Sequence, residues 1–412
     1  MPLDGIGSLA AADRKAAPYW TKAVALFFLG WIFIYATRNI FSASMSAIQQ
    51  EFGLTASQLG LINSVFFFTY TFAQIPSGML GDKLGLKRML VAGFLVFGIF
   101  TGLTGISVSF ALLLAMRAFV GIGQGAYYGP QYALSSNALP MKHRGFGSAI
   151  INSGMAFGIS LGLIGAGFIM NTLNLNWRAS FYIFAVPTLI IGALFRFFVK
   201  EHAAAEEIGA KTALGDAAPK AKAFNRNIAA IYIMVFCSLF GFFVIQTWLP
   251  YFLQNERGID AGKVGFISSL IAWASIPGAL IFSRLSDKLK RRKMFMLILV
   301  CLALLSIIGC VYFSNFNLMI VCLIIYGLTG KLALDPILVA SVADNSPSGK
   351  RGTLFSIYNF VGMSSSILAP YIAGALSDST GSLVSAFYLS GGLLFIGFAA
   401  VFLLFKDTLR HA

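Results

Sequence analysis

Long apolar segments recur along the whole chain, and they constrain the fold more than any other feature. Each is about 20 residues long, enough for a helix to cross the roughly 30 Å hydrocarbon layer of a bilayer. A segment in lipid must satisfy its own backbone hydrogen bonds, which favours helices. The predicted spans are 22–44, 58–80, 88–107, 110–135, 147–170, 178–199, 227–250, 263–285, 294–313, 317–340, 353–375 and 384–406. The sequence therefore predicts an all-α membrane protein with twelve transmembrane helices.

Positive charge is concentrated in the short connections that follow the even-numbered spans. The chain has 30 Lys and Arg against 15 Asp and Glu, a net charge of +15. Such an excess is common in nucleic-acid-binding proteins, but here the basic residues flank apolar runs, so no nucleic acid is expected and the partner is the lipid bilayer. The positive-inside rule places these loops and both termini in the cytoplasm, which predicts a multi-pass protein of the cell inner membrane.

The spans divide into two halves joined by a polar segment rich in Ala, Glu and Lys. Residues 1–21 are polar, and the first apolar run is long enough to span, so a cytoplasmic tail is expected there rather than a signal peptide. The predicted organisation is a tail at 1–21, a six-helix bundle at 22–199, a cytoplasmic linker at 200–226, a second six-helix bundle at 227–406 and a tail at 407–412.

Two unrelated motifs occur once in each half at nearly the same offset. Gly78–Arg88 (GMLGDKLGLKR) is matched by Ser283–Arg292 (SRLSDKLKRR), with the aspartates 205 residues apart. Pro140–Gly145 is matched by Pro347–Gly352, with the arginines 207 residues apart. A repeated six-helix half is typical of transporters whose site lies at the interface of the halves, near the bilayer midplane.

These motifs resemble those of the major facilitator superfamily. The loop motif G-x-L-x-D-x-x-G-x-[KR]-[KR] is present twice, with the second copy degraded, and the resemblance covers the whole chain. The fourth span carries the pattern R-x-x-x-G-x-G-x-G from Arg117, and the sixth opens with Asn176-Trp177-Arg178. The resemblance implies two pseudo-symmetric six-helix halves and secondary active transport by alternating access.

The resemblance also implies roles for several charged residues. Arg117 is expected to be structural or coupling-related, as part of a conformational gate, rather than a ligand. Asp82, Arg88 and Asp287 are expected to act as a conformational gate, pairing with a neighbouring helix in one state and releasing in the other. The alternative is that these loop charges only set the topology.

An arginine near the middle of the first span is the leading candidate for substrate binding. Its cost of about 3 kcal/mol on insertion scales implies that Arg38 faces a cavity or a partner. The segment Tyr35–Asn39 (YATRN) is similar to the first-helix signature of the anion:cation symporter family, particularly hexuronate-type members. Arg38-x-x-Phe41 more loosely resembles the organophosphate:phosphate antiporters. The resemblance implies that Arg38 coordinates an anion, for which a guanidinium fork is suited. Tyr35 shares its helical face.

The sequence departs from the patterns of these families at two positions, and both bear on the predicted substrate and coupling mechanism. A second arginine expected in the seventh span, near Phe243, is absent, and Gln246 is the nearest polar candidate, which argues against a sugar-phosphate antiporter. The symporters tend to have a glutamate seven residues after the fourth-span arginine, and Gln124 stands there. Gln124 and Tyr127 are expected to contact substrate from the fourth span, and Asn359 from the eleventh.

The tenth span contains Lys331 and Asp335, four residues apart and so on one helical face. Lys331 is a candidate second cation for the anion, and Asp335 a candidate proton-coupling carboxylate. The alternative for the pair is that Lys331 and Asp335 only neutralise each other locally, in a helix kinked by Pro336. The alternatives for coupling are a substrate that carries its own proton, a uniporter or an exchanger. Arg38 remains open to a structural interpretation, neutralised by carbonyls or another helix.

The predicted function is proton-coupled symport of a small organic anion, a mono- or dicarboxylate, with sugar acids among the candidates. The alternative is a drug or metabolite efflux antiporter, which the 40 phenylalanines favour. Against it, the fifth span has Gly154, Gly158 and Gly162 but no Gly-Pro pair typical of drug:proton antiporters.

No enzyme constellation is found, so no catalytic residue, metal or cofactor is expected. The four cysteines are interpreted as packing thiols, and a monomer is expected.

Overall fold

The computed structural model describes residues 19–140, 143–200, 225–347 and 351–407. Most of the predicted tails and linker, together with Lys142 and Lys350, lies outside these residues. The helices are α1 Tyr19–Phe52, α2 Ala56–Leu84, α3 Leu86–Thr104, α4 Phe110–Ala138, α5 Arg144–Gly167, α6 Trp177–Phe198, α7 Arg226–Asn255, α8 Ala261–Leu289, α9 Arg292–Tyr312, α10 Phe316–Thr329, α11 Lys331–Asn345, α12 Arg351–Thr380 and α13 Val384–Leu404. A π-helical turn, Phe168–Thr172, continues α5.

Eleven stretches within the described residues are long and apolar enough to span a membrane, with α10 and α11 forming one stretch. The prediction of a membrane-spanning, all-α fold is therefore confirmed. Of the twelve predicted spans, the second is the one outside this set, because α2 carries Asn63, Thr69 and Gln74 among its apolar residues. These polar groups lie on a helix that packs between the two halves rather than wholly in lipid.

Polar residues define where many of the helices begin. At each of these positions a side-chain oxygen accepts a hydrogen bond from a backbone N–H of the first turn, which would otherwise lack a partner. At Thr55 the side chain of Gln58 also bonds back, completing a capping box. The N-caps of this kind are Thr55, Ser109, Asn176, Asn225, Asp260 and Asn315.

The tenth crossing is interrupted at a glycine. Gly330 is extended and separates α10 from α11, whereas Pro336 lies inside α11 without ending it. The kink at Pro336, which belongs to the alternative interpretation of this helix, stays a prediction. The N–H of Gly330 donates to the Tyr326 carbonyl at 2.7 Å. A Cβ at this position would lie 2.6 Å from the same carbonyl oxygen, so the tight end of α10 favours glycine. Lys331 thus begins a new helix rather than lying inside a continuous one.

The same packing pattern occurs in both halves. In the first, α1 packs on α5, α2 on α4, and α3 on α6. In the second, α7 packs on α12, α8 on α10 and α11, and α9 on α13. This correspondence agrees with the sequence repeat. The halves meet mainly through α2 against α12 and α5 against α8.

Contacts among the helix ends define two faces of the molecule. The N–H of Lys200, after α6, donates to the Tyr19 hydroxyl at the start of α1, at 2.8 Å. Asn227, at the start of α7, donates to the Lys406 carbonyl after α13, at 2.9 Å. The described chain ends therefore share one face with the basic connections. We call it the basic side, and the other face the far side.

The two halves are tightly joined on the far side. The N–H groups of Ala56 and Ser57, at the start of α2, donate to the two carboxylate oxygens of Asp378 in α12, at 2.9 and 2.8 Å. Gly60 and Gly374 allow the backbones of α2 and α12 to touch, since a Cβ added at either would lie 2.2 or 2.3 Å from a carbonyl oxygen of the other helix. These contacts close the far side.

Candidate functional site

A cavity of about 400 Å³ lies between the halves. It receives side chains from α1, α2, α4 and α5 of the first half and from α7, α8, α11 and α12 of the second. The cavity reaches toward the basic side, away from the closed seam at Asp378. Its polar and charged lining residues are Trp31, Tyr35, Arg38, Tyr70, Gln74, Tyr128, Tyr132, Asn152, Ser153, Gln246, Ser275, Lys331, Asp335, Tyr358 and Asn359.

Arg38 lines this cavity and carries an uncompensated charge. Arg38 is 6% exposed, and its Nη2 is buried with no hydrogen-bond partner in the part of the chain that the structure describes. None of the ion pairs within the described residues includes it. The guanidinium carbon lies 4.8 Å from the ring centroid of Tyr35 and 4.5 Å from that of Tyr70. Aromatic faces stabilise a cation without neutralising it, so Arg38 remains available to an anion.

Gln124, which lies outside the cavity lining, fixes the orientation of Arg38. Its Oε1 accepts a hydrogen bond from Arg38 Nε at 2.8 Å, and its Nε2 donates to Thr37 Oγ1 at 2.9 Å. Gln124 is 1% exposed and does not line the cavity. This hydrogen bond orients the guanidinium. Because the amide is neutral, it does not compensate the charge of Arg38. The structure thus brings Gln124 to Arg38, although not into direct reach of the cavity.

Lys331 and Asp335 form an ion pair one helical turn apart at the start of α11. The Lys331 side chain is 7% exposed and that of Asp335 is 40% exposed. The Tyr358 hydroxyl donates to Asp335 Oδ1 at 2.7 Å. With Arg38, the charged lining residues are two cations and one carboxylate. The start of a helix also favours negative charge, so this end of the cavity adds to the attraction for an anion.

Aromatic residues form much of the remaining wall, and several were not among the predicted site residues. Tyr70 and Gln74 are four residues apart on α2, and Tyr128 and Tyr132 are four apart on α4. This spacing places each pair on one helical face. The signal that could have found them is the four-residue spacing of amphipathic side chains on these two helices. Tyr132 also donates to Asn152 Oδ1, at 3.2 Å, which fixes its hydroxyl at the rim.

The other predicted ligands are divided between the cavity and the packed interior. Tyr35, Gln246 and Asn359 line the cavity. Tyr127 does not: it is 1% exposed, and its hydroxyl donates to the Phe27 carbonyl at 3.0 Å. It packs α4 against α1, because the helical turn that exposes Tyr128 to the cavity directs Tyr127 inward.

The predicted gate residues have different surroundings in the two halves. Asp287 and Asp344 both pair with Arg292, the latter at 3.1 Å. These contacts lie within the second half, at the basic side. In the first half, Asp82 and Arg88 are exposed, and neither occurs in the ion pairs of the described residues.

Arg117 is buried away from the cavity. Its Nη2 donates to Asn63 Oδ1 at 3.3 Å, and its Nε is buried without a partner. Asn63 in turn donates to Thr247 Oγ1 in the second half, at 3.1 Å. Arg117 therefore belongs to a hydrogen-bonded chain that crosses the interface of the halves. The described residues contain no cluster of His, Cys, Asp and Glu that could hold a metal ion.

The fold is similar to that of a solved transporter. The structure of a bacterial homologue of the human lysosomal transporter Spinster, in an inward-facing and occupied conformation, aligns with a TM-score of 0.77 at 16% identity. The alignment covers 96% of this chain and 98% of that one. At this identity the likeness establishes the fold alone.

Curated relatives are similar over most of their length. The probable sulfoacetate transporter of Cupriavidus necator is 27% identical over 403 residues, covering 90% of each chain. The probable galactarate/D-glucarate transporter of Pseudomonas putida is 30% identical over 405 residues, covering 90% of this chain and 88% of that one. The Major Facilitator Superfamily matches residues 27–261 and 231–411. The resemblance found in the sequence motifs is confirmed: this multi-pass membrane protein is a transporter, not an enzyme, and it belongs to the Major Facilitator Superfamily.

Proposed function

We propose that this transporter moves a small organic anion bearing a carboxylate, with sugar acids the leading class. The observation that carries the proposal is Arg38, a buried guanidinium that lines the central cavity and has no acidic partner among the described residues. A carboxylate would complete its hydrogen bonding with the bidentate geometry that a guanidinium favours. The named substrates of the relatives, sulfoacetate and galactarate or D-glucarate, are also organic anions.

Lys331 and Asp335 support proton-coupled symport. The charged lining sums to +1 while Asp335 is ionised and to +2 once it is protonated. A protonated site therefore attracts an anion more strongly, and anion and proton bind together. Protonation also frees Lys331 to contact the substrate. The tyrosine hydroxyls and the Asn152 and Asn359 amides suit the hydroxyl groups of a sugar acid.

We place the basic side in the cytoplasm of the inner membrane, since the Lys- and Arg-rich connections lie there. In that orientation the cavity faces the cytoplasm in this conformation. The expected functional unit is the monomer, because the cavity is built from the two halves of one chain.

An efflux antiporter for aromatic or amphipathic compounds is the second candidate. The aromatic wall favours it, since Trp31, Phe242 and Phe243 line the cavity together with the tyrosines. This candidate predicts ligand binding through stacking and burial, with little dependence on Arg38.

A thermal-shift screen of the purified protein distinguishes the two. Carboxylates, sugar acids, sugar phosphates and cationic drugs are tested on wild type and on Arg38→Ala, with Arg196→Ala, an exposed arginine outside the cavity, as the control. A ligand at about 100 times its Kd adds roughly 2.7 kcal/mol to stability. We expect a sugar acid to stabilise wild type and the control but not Arg38→Ala. Stabilisation by cationic drugs, equal in all three proteins, would establish the efflux function instead.

A further inference from the structure

A second, much smaller space lies next to the central cavity, on its far side. This chamber has a volume of about 20 Å³. Phe242, Gln246 and Leu332 line both the chamber and the cavity. Leu163 and Leu249 close the chamber toward the far ends of α5 and α7. A space of this size holds one water-sized molecule.

Three polar atoms in the chamber wall have no hydrogen-bond partner among the described residues. They are Asn39 Oδ1, Gln246 Oε1 and Ser268 Oγ, and all three are buried. Asn39 is 1% exposed and Ser268 is 6% exposed. Buried polar atoms in proteins are nearly always hydrogen-bonded, so three that line one small space indicate a shared ligand.

The orientation of these groups is determined by their neighbours. Asn39 Nδ2 donates to the Tyr35 carbonyl at 2.7 Å, which leaves Oδ1 as a free acceptor. Ser268 differs from two other serines of α8. Ser269 and Ser275 each donate to a carbonyl of their own helix, both at 2.7 Å, whereas Ser268 does not. Its hydroxyl is therefore available to donate into the chamber.

We propose that Asn39, Gln246 and Ser268 bind one ordered water molecule between the two halves. The chemistry of the three groups fits water: it donates to the two amide oxygens and accepts from the serine hydroxyl. A cation fits less well. No carboxylate lines the chamber, and the adjoining cavity contains Arg38 and Lys331.

The water joins the halves because Asn39 belongs to α1 and the other two groups to α7 and α8. In this conformation it satisfies polar groups that closure of the far side removes from solvent. When that side opens, the same groups are hydrated individually. The chamber thus places polar groups between the cavity and the far side. The bound water satisfies their hydrogen bonds while the far side is closed.

The sign of a stability change tests the proposal. Ser268→Ala is compared with Ser269→Ala, the neighbouring buried serine whose hydroxyl bonds the Phe266 carbonyl. If Ser268 bonds a water, both substitutions lower the unfolding midpoint, by about 1–3 °C each for the loss of one hydrogen bond. If its hydroxyl is unpaired, Ser268→Ala removes a buried unsatisfied group and the midpoint rises. A rise would overturn the proposal.

Two measurements on wild type complete the test. A density map near 2 Å resolution is expected to show one peak within hydrogen-bond distance of all three oxygens, about 2.7–3.2 Å. An empty chamber would refute the assignment. The unfolding midpoint is expected to be the same in sodium, potassium and choline chloride. A rise specific to sodium that disappears in Ser268→Ala would identify a cation site instead.

Discussion

At the scale of single residues, the neighbours of Arg38 determine the orientation of its guanidinium and whether its charge is compensated. Arg38 is oriented by a neutral amide, Gln124, and by aromatic faces, Tyr35 and Tyr70. A carboxylate at the position of Gln124 would orient the guanidinium equally well but would also neutralise it. Under the proposed function, the neutral partner leaves the charge of Arg38 available to an anion.

Gln124→Glu tests this argument. Above the pKa of the new carboxyl group, an ion pair with Arg38 should compete with the substrate and weaken ligand binding by about tenfold, or 1.4 kcal/mol. Acidification should restore the affinity as the carboxyl group is protonated. Titrations of ligand against thermal stability at several pH values check this. An affinity that equals that of wild type at every pH would contradict it.

Asp335→Asn tests the proposed proton coupling. The substitution leaves Lys331 without its ionic partner and fixes the charged lining at +2, as in the protonated wild type. We expect uptake by proteoliposomes to lose its dependence on an imposed pH gradient while ligand binding is retained or strengthened. Tyr358→Phe, which removes the hydrogen bond to Asp335 but keeps the carboxylate, is the control and should remain pH-dependent. Full pH-dependent uptake by Asp335→Asn would exclude this carboxylate as the coupling group.

At the scale of elements, the helix that carries Arg38 is positioned by a row of glycines on its neighbour. Gly154, Gly158 and Gly162 of α5 lie against backbone carbonyls of α1. A Cβ added at these positions would lie 2.6, 2.3 and 2.4 Å from a carbonyl oxygen of α1. Close helix packing through small residues is the usual means of association in membranes, where no hydrophobic driving force acts between helices.

Gly158→Ala should therefore be destabilising, although alanine favours a helix more than glycine does. Separation of α1 from α5 should cost about 1–3 kcal/mol of stability and displace Arg38 from the cavity wall. The unfolding midpoint and the ligand affinity measure the two effects. Gly392→Ala in α13, where an added Cβ meets no atom within 4 Å, is the control and should be neutral or stabilising. Equal behaviour of the two variants would show that the close approach is unimportant.

At the scale of the whole molecule, one carboxylate links the conformation of the two halves. Asp378 of α12 accepts hydrogen bonds from the first N–H groups of α2, in addition to the cap that Thr55 provides. A negative charge at a helix N-terminus is stabilising. Because this cap comes from the other half, it exists only while the far side is closed. It thus favours the conformation in which the cavity reaches toward the basic side.

Asp378→Ala should shift the population toward opening of the far side. Loss of a helix cap costs about 1 kcal/mol, which changes the ratio of the two conformations about fivefold. Distances between spin labels at Gln50 and Ser379, exposed positions in α1 and α12, report this shift. Asp260→Ala is the matched control, since Asp260 caps α8 from within its own half and should not alter the distribution. Unchanged distances in Asp378→Ala would refute the link.

The sequence by itself determined the membrane fold and the twofold repeat, and it correctly predicted that Arg38 faces a cavity. Hydrophobic length, loop charge and motif spacing are local properties, and a charge in an apolar run needs a cavity or partner wherever the helix lies. Only the tertiary structure decided which face of each helix lines the cavity, because rotation about a helix axis depends on packing against its neighbours. Packing separated Tyr128 from Tyr127, placed Gln124 beside Arg38 outside the cavity lining, and showed that the tenth crossing is interrupted at Gly330. It also placed Asn39, Gln246 and Ser268, from three helices, in the wall of one chamber, an arrangement that no spacing within the chain reveals.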